Sequence, residues 1–169
     1  MTAIKSDITL INTSNKNERL NYGFDNENNF FKLLKTIDNE FKQTKQFNLL
    51  DFNLIKKNYN IFGELKTRKC KLNTFSSSII GLNKLLYYDN IVSDIKKVLY
   101  IFFGFLSDDN KNIVYYYIKF NREIFKTFNN ITVFNKIHIE IPVNLLIPFE
   151  NFNTEINPLL VDYCNNDLQ

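Results

Sequence analysis

The spacing of apolar and polar positions divides the chain into an opening helix, a group of strands, a second helix and further strands. Phe30, Phe31, Leu34, Ile37 and Phe41 recur at helical intervals and predict a helix over 26–39, with Asp25 as its N-cap and Glu27 in its first turn. Glu27 precedes Phe31 by four residues and Leu34 by seven, so it falls on the apolar face of that helix. Three strands follow. Residues 41–47 are polar and suit only an edge strand. Residues 49–55 alternate Leu50, Phe52 and Leu54 against Asp51 and Asn53, and Lys56-Lys57-Asn58 turns the chain into a hairpin with a third strand over 60–71. In that strand Phe62, Glu64, Lys66 and Arg68 share one face, while Ile61, Gly63, Leu65 and Thr67 share the other.

Thr74 to Ser78 reads as a capping stretch for a helix carrying Ile79, Leu82, Leu85 and Leu86, with Asp89-Asn90 as its stop. Residues 98–106 are the most apolar run and predict a strand buried on both faces. Asp108-Asp109-Asn110 turns into a Tyr-rich strand over 113–120, residues 121–130 form a short helix or loop, and 137–143 alternate into a last strand with Pro142 at its edge or end. Outside these elements, 1–22 is a polar arm, poorly ordered apart from at most a short strand at 8–11. Residues 151–169 are a polar C-terminal extension with Leu159, Leu160 and Val161 as anchors. The expected architecture is a single α/β domain over 23–150, with a mixed sheet between helices.

Composition removes several classes of function. No apolar run reaches the length of a membrane span, and the first residues lack the apolar core of a secretory signal. Two cysteines, Cys70 and Cys164, make no disulfide scaffold and suit free thiols in a reducing, intracellular compartment. No Cys/His spacing holds zinc, and a Ser-His-Asp triad would have to rest on the one histidine, His138, which alternates with Ile137 and Ile139 as a structural or surface residue. No glycine-rich loop is present to cradle a nucleotide phosphate. The chain has 27 Asn, 20 Ile and 18 Lys against three Arg and one Ala, a skew toward A/T-rich codons that fits a low-GC genome. Lys-rich and Asn-rich stretches are therefore background. The net charge of +3 permits a nucleic-acid partner without requiring one.

The candidate chemistry lies in Asp51 and, thirteen residues on, Glu64-Leu65-Lys66. Carboxylates converging from adjacent strands suit Mg²⁺, a hard cation that takes oxygen ligands and keeps several waters. A lysine two residues beyond the second acid projects to the same strand face, where it orients or deprotonates water or offsets charge on a phosphate. The triplet alone is weak: with 18 acids and 18 lysines, about two acid-x-Lys triplets arise by chance, and four occur. Context separates them. Glu40-Phe41-Lys42 follows a helix end, Asp94-Ile95-Lys96 lies in a charged segment and Asp109-Asn110-Lys111 in a turn. Glu64 alone sits inside a strand with an acid-bearing partner strand before it.

This order of elements and acids resembles the PD-(D/E)xK nuclease superfamily, with its restriction-endonuclease-like three-layer core of a mixed central sheet flanked by helices. The segments Leu50-Asp51-Phe52 and Phe62-Gly63-Glu64-Leu65-Lys66-Thr67-Arg68 look like small viral and phage members, and the resemblance spans roughly 24–106. It implies a virus-encoded, Mg²⁺-dependent nuclease, with Mn²⁺ as a substitute and DNA as the favoured partner. Asp51 and Glu64 would be metal ligands, Glu27 a further acid ligand and Lys66 the catalytic lysine. Leu50 stands where the family has its proline. Lys84, with Asn83 as a fallback, takes the place of the polar residue that many members carry on the following helix. Arg68, Lys69, Lys71 and Lys84 would meet the phosphate backbone.

Competing readings stand beside this one. The alternative for Asp51 and Glu64 is surface acids of an amphipathic hairpin, and for the lysines a solvated strand edge. Tyr87-Tyr88 and Tyr115-Tyr116-Tyr117 read as strand packing rather than base stacking. At the level of the whole chain, the alternative is a module that keeps the fold and binds nucleic acid or another partner without cutting.

Overall fold

A computed structural model of the chain describes residues 4–44 and 48–161. In chain order these form helix α1 (Ile4–Ile37), strands β1 (Lys42–Gln43), β2 (Phe52–Ile55), β3 (Asn60–Lys71) and β4 (Ser77–Gly81), helix α2 (Leu82–Val92), strands β5 (Lys97–Leu106) and β6 (Ile113–Lys119), the one-turn helix α3 (Arg122–Phe125), strands β7 (Asn130–Val133), β8 (Lys136–Pro142) and β9 (Ile147–Pro148), and helix α4 (Phe152–Val161). Six strands make a mixed sheet in the order β1-β2-β3-β5-β6-β9, with β3 and β5 parallel and the other pairs antiparallel. A second, antiparallel sheet has the order β4-β8-β7.

The layering follows from β5. Its period of two sends Leu99, Ile101, Phe103 and Phe105 to one face and Tyr100 and Phe102 to the other, and all six are buried. The first set packs against Ile80 of β4, Tyr88 of α2 and Ile139 and Ile141 of β8. The second packs against Phe30 and Leu34 of α1 and Phe152 and Ile156 of α4. The mixed sheet is thus flanked by helices, the α/β class expected. The parallel β3–β5 pair requires a crossover, and β4 with α2 supplies it.

Gly63 fixes how β3 crosses this core. A Cβ there would lie 2.8 Å from Cε2 of Phe102. That ring is held by Phe30 at 4.8 Å and Phe152 at 5.1 Å between centroids, so it has little room to yield. A glycine before Glu64 therefore lets the strand run close over the aromatic layer.

Several elements differ from the expectation. The first helix begins at Ile4 rather than near 26, taking in most of the polar arm, so Asp25 is no N-cap and Glu27 is no first-turn residue. No proline interrupts residues 4–37, and the polar run over 12–19 broke the apolar periodicity that would have announced the helix. The stretch taken for a helix cap contains β4: Ser78 and Ile80 face inward, and the whole strand pairs with β8 from Ser77–Pro142 to Gly81–His138. Strand β7 begins at the last residue of the short helix or loop expected over 121–130 and runs through a stretch in which no element is expected, and Pro142 ends β8, the central strand of its sheet. Residues 152–161 form α4, whose Phe152 and Ile156 are core residues rather than loose anchors. Of the thiols, Cys70 is free and Cys164 lies outside the described residues.

The β7–β8 turn carries strain. Phe134 and Asn135 have φ of 49° and 59°, the left-handed pair of a two-residue hairpin turn, and Phe134 is 95% exposed. A bulky side chain is disfavoured there, and the exposed ring recovers nothing by packing. Phe134→Gly should therefore stabilise the protein by about 1 kcal/mol in denaturant unfolding. A loss of stability would show that the ring is held by contacts absent from this conformation.

Candidate functional site

The site is built on the β2–β3 hairpin. The ladder pairs Phe52 with Gly63, and the Asp51 N–H donates to the Gly63 carbonyl at 2.9 Å, which brings Asp51 opposite Glu64. One Asp51 carboxylate oxygen, Oδ2, accepts from the Leu65 backbone N–H at 2.6 Å. Glu64 is 0% exposed. Its Oε1 is ion-paired with both Lys66, two residues along the strand, and Lys84, from the first turn of α2. Its Oε2 is buried and has no hydrogen-bond partner among the described residues.

Electrostatics tie Glu27 to the same group. Burial pushes its carboxyl up to about 7, and the charges of Asp51 and Glu64 add to the rise while Lys66 and Lys84 oppose it. Asp51 is also raised by burial, against the opposing pull of Lys66 and the Leu65 N–H. Lys84 is held below the ordinary lysine value by burial and by the neighbouring Lys66 ammonium, with Glu64 pulling the other way. Three acids and two lysines thus share one electrostatic neighbourhood, although no three Asp, Glu, His or Cys side chains among the described residues are gathered as a ready-made metal cage.

The basic residues beyond Lys66 go to different partners, and the strand sends Arg68 and Lys69 to opposite sides. Arg68 turns toward the second sheet: Nε donates to Ser78 Oγ at 3.2 Å, Nη2 to the Ile79 carbonyl at 2.6 Å and Nη1 to the Thr67 carbonyl at 3.3 Å. It fastens β3 to β4. Lys69 is exposed with its ammonium 4.6 Å from the centre of the Tyr22 ring on α1. Lys71 donates to the Asp108 carbonyl at 2.7 Å. Lys84, expected at the phosphate backbone, instead pairs with Glu64. Asn83 is exposed. Tyr88 and Tyr117 are core residues, and the His138 ring engages the Lys136 carbonyl at 3.0 Å.

Sequence reasoning placed Lys84 on the helix after the Glu-x-Lys strand but not on the carboxylate. Its partner across the crossover depends on where α2 begins, and the misread β4 displaced that start.

The raised carboxyls have a measurable consequence in metal-free buffer. A carboxyl whose folded pKa lies above its unfolded value binds extra protons in the native state, so stability falls as pH rises between the two values. For Glu27 that window runs from the ordinary carboxyl value of 4.5 to about 7. Unfolding free energy should decline across it, and Glu27→Gln should flatten the decline. An unchanged slope in that variant would place the proton uptake elsewhere.

No family model matches the sequence, and no curated protein matches it. Among solved structures, a nuclease from a fusselovirus is similar over 73% of this chain and 77% of its own, with a TM-score of 0.43 and 11% identity. Among the described residues, no helix is long and apolar enough to cross a membrane.

Proposed function

We propose that the chain is a divalent-metal-dependent nuclease of the PD-(D/E)xK kind, hydrolysing phosphodiester bonds with DNA as the favoured substrate. The observation that carries this reading is Glu64. Its carboxylate is fully buried at the sheet, opposite Asp51, with one oxygen left without a partner. An unsatisfied buried oxygen is costly, and a cation is a group that would relieve it. The donor set fits Mg²⁺, which is commonly held by one or two carboxylates and completes its shell with water and substrate phosphate. Asp51 and Glu64 would hold the ion, with Glu27 near enough in charge to assist.

When bound, the ion would polarise the phosphate and favour ionisation of a water. The chain's own groups supply the rest. Lys66 and Lys84 place two ammonium groups beside the cluster, where they offset the negative charge that grows on the phosphoryl oxygens as the water oxygen bonds to phosphorus and the bond to the leaving oxygen breaks. Asp51 is oriented by the Leu65 N–H, which fixes its second oxygen relative to Glu64.

One observation favours a second reading, a nucleic-acid-binding module that does not cut. Glu64 Oε1 already has two lysine partners, which compensate its charge without any metal. The two readings separate in one experiment. Labelled single-stranded and duplex DNA and RNA are incubated with Mg²⁺, with Mn²⁺ and with chelator. Products that require the metal are expected, and binding without products under every condition would favour the non-cutting module.

A further inference from the structure

A cavity of about 530 Å³ opens between the end of β3 and the second sheet. That volume lies within the range of pockets that enclose small ligands. Phe75, Phe105, Ile131 and Val133 give it apolar walls, and Arg68 and Glu140 are the charged groups that line it. Arg68 follows Lys66 by one two-residue step of the strand, about 7 Å. The Glu64 carboxylate is close enough to act on the Arg68 guanidinium. The cavity therefore continues the carboxylate cluster along the same face of β3.

Its polar groups are only partly used. Glu140 Oε1 accepts from Ser77 Oγ at 3.0 Å, and Oε2 has no partner among the described residues. Arg68 commits three N–H groups to Ser78, Ile79 and Thr67. A guanidinium has five, so two remain. A largely apolar cavity, with an acceptor and a donor on its walls and an exposed phenyl ring, Phe75, at its side, matches one kind of ligand better than an apolar peptide side chain, which would leave both charged groups unanswered.

We propose that this cavity receives a nucleobase of the bound strand, one that carries an exocyclic amine. The amine donates to Glu140, an adjacent ring acceptor receives from Arg68, and the ring stacks on Phe75. Thymine and uracil are disfavoured, because their Watson–Crick edge turns carbonyl oxygens toward the carboxylate. The inference rests on the nucleic-acid reading of the carboxylate cluster and adds a base preference to it.

The test reads binding without cleavage, by fluorescence anisotropy in chelator. The probes are a labelled thymidine oligonucleotide and the same strand with one central cytidine. The cytidine strand should bind at least about fivefold tighter, the lower end of what a good base contact supplies. Glu140→Gln keeps an oxygen for Ser77 and should abolish the preference. Ile131→Phe fills the cavity and should do the same, with thermal melting to confirm that both variants fold. Equal binding of the two strands, or a preference untouched by both substitutions, overturns the proposal. Preference without metal-dependent products overturns the nuclease reading and leaves the pocket standing. Metal-dependent products without preference do the reverse, and failure to bind either strand overturns the pocket while the cleavage products alone decide the nuclease reading.

Discussion

Replacing Lys66 and Lys84 together by methionine should cost the metal-free protein about 3–5 kcal/mol at pH 8, while each single replacement should cost about 1–2 kcal/mol. Methionine retains most of the apolar stem, so the comparison isolates charge from packing. Glu64 is fully buried, and its bonded oxygen has these two ammonium groups as partners. Either lysine alone still compensates the carboxylate. Without both, a bare charge is left inside the protein, and the second loss costs far more than the first. The double-mutant cycle should therefore give a coupling of about 1–3 kcal/mol. Each lysine side chain is about a quarter exposed, at 26% and 24%, which keeps the single costs small because the survivor can adjust. Denaturant unfolding at pH 8 provides the check. Additive costs would mean that Glu64 draws its compensation from groups other than these lysines.

How much of this arrangement could be read from the sequence depended on whether a local pattern carried it. Strand β3 has the bounds expected, and its pairing with β2 follows from the alternation on both sides of Lys56-Lys57-Asn58. That pairing alone puts Asp51 across from Glu64. The apolar run of β5 announced a strand buried on both faces because each face meets a different core cluster. The same reasoning failed where local signals pointed two ways. Ser76-Ser77-Ser78 before Ile79 has the composition of a helix cap, yet Ile79 and Ile80 are β-branched and the partner strand β8 lies 60 residues away in sequence, so tertiary pairing decided the outcome. In the first half of α1 the helically spaced Ile4, Ile8 and Ile11 give way to polar residues over 12–19, so no continuous stripe announces it. For the site, the split of the basic run was implicit in the strand period: Arg68 and Lys69 are neighbours in sequence and must face opposite ways. What no spacing could supply was that Lys84 pairs with Glu64, since that contact joins α2 to β3 across the crossover.

That contact changes what substitution of the acids and lysines should do to cleavage. Asp51→Asn and Glu64→Gln should each lower metal-dependent cleavage by at least about a hundredfold, because each removes a carboxylate charge from a site that has few to spare. Both keep the fold within reach: an asparagine oxygen still accepts from the Leu65 N–H, and a glutamine oxygen still accepts from the lysines. On the proposed reading the parent protein should melt at a higher temperature in Mg²⁺, and the same substitutions should abolish that rise, since a ligand stabilises only the state that binds it. The lysines should behave differently from one another only if they have different tasks. If both merely balance Glu64, Lys66→Ala and Lys84→Ala should lose similar activity, each partly covered by the survivor. If Lys66 faces the reacting phosphate, its loss should lower kcat while leaving the Mg²⁺-induced shift in melting temperature intact, and Lys84→Ala should mainly alter that shift through the charge it leaves uncompensated on Glu64. The strand position of Lys66, two residues past Glu64 and on the same face, favours the second pattern. Full activity in Asp51→Asn or Glu64→Gln would remove the carboxylate pair from the chemistry and with it the nuclease reading of this site.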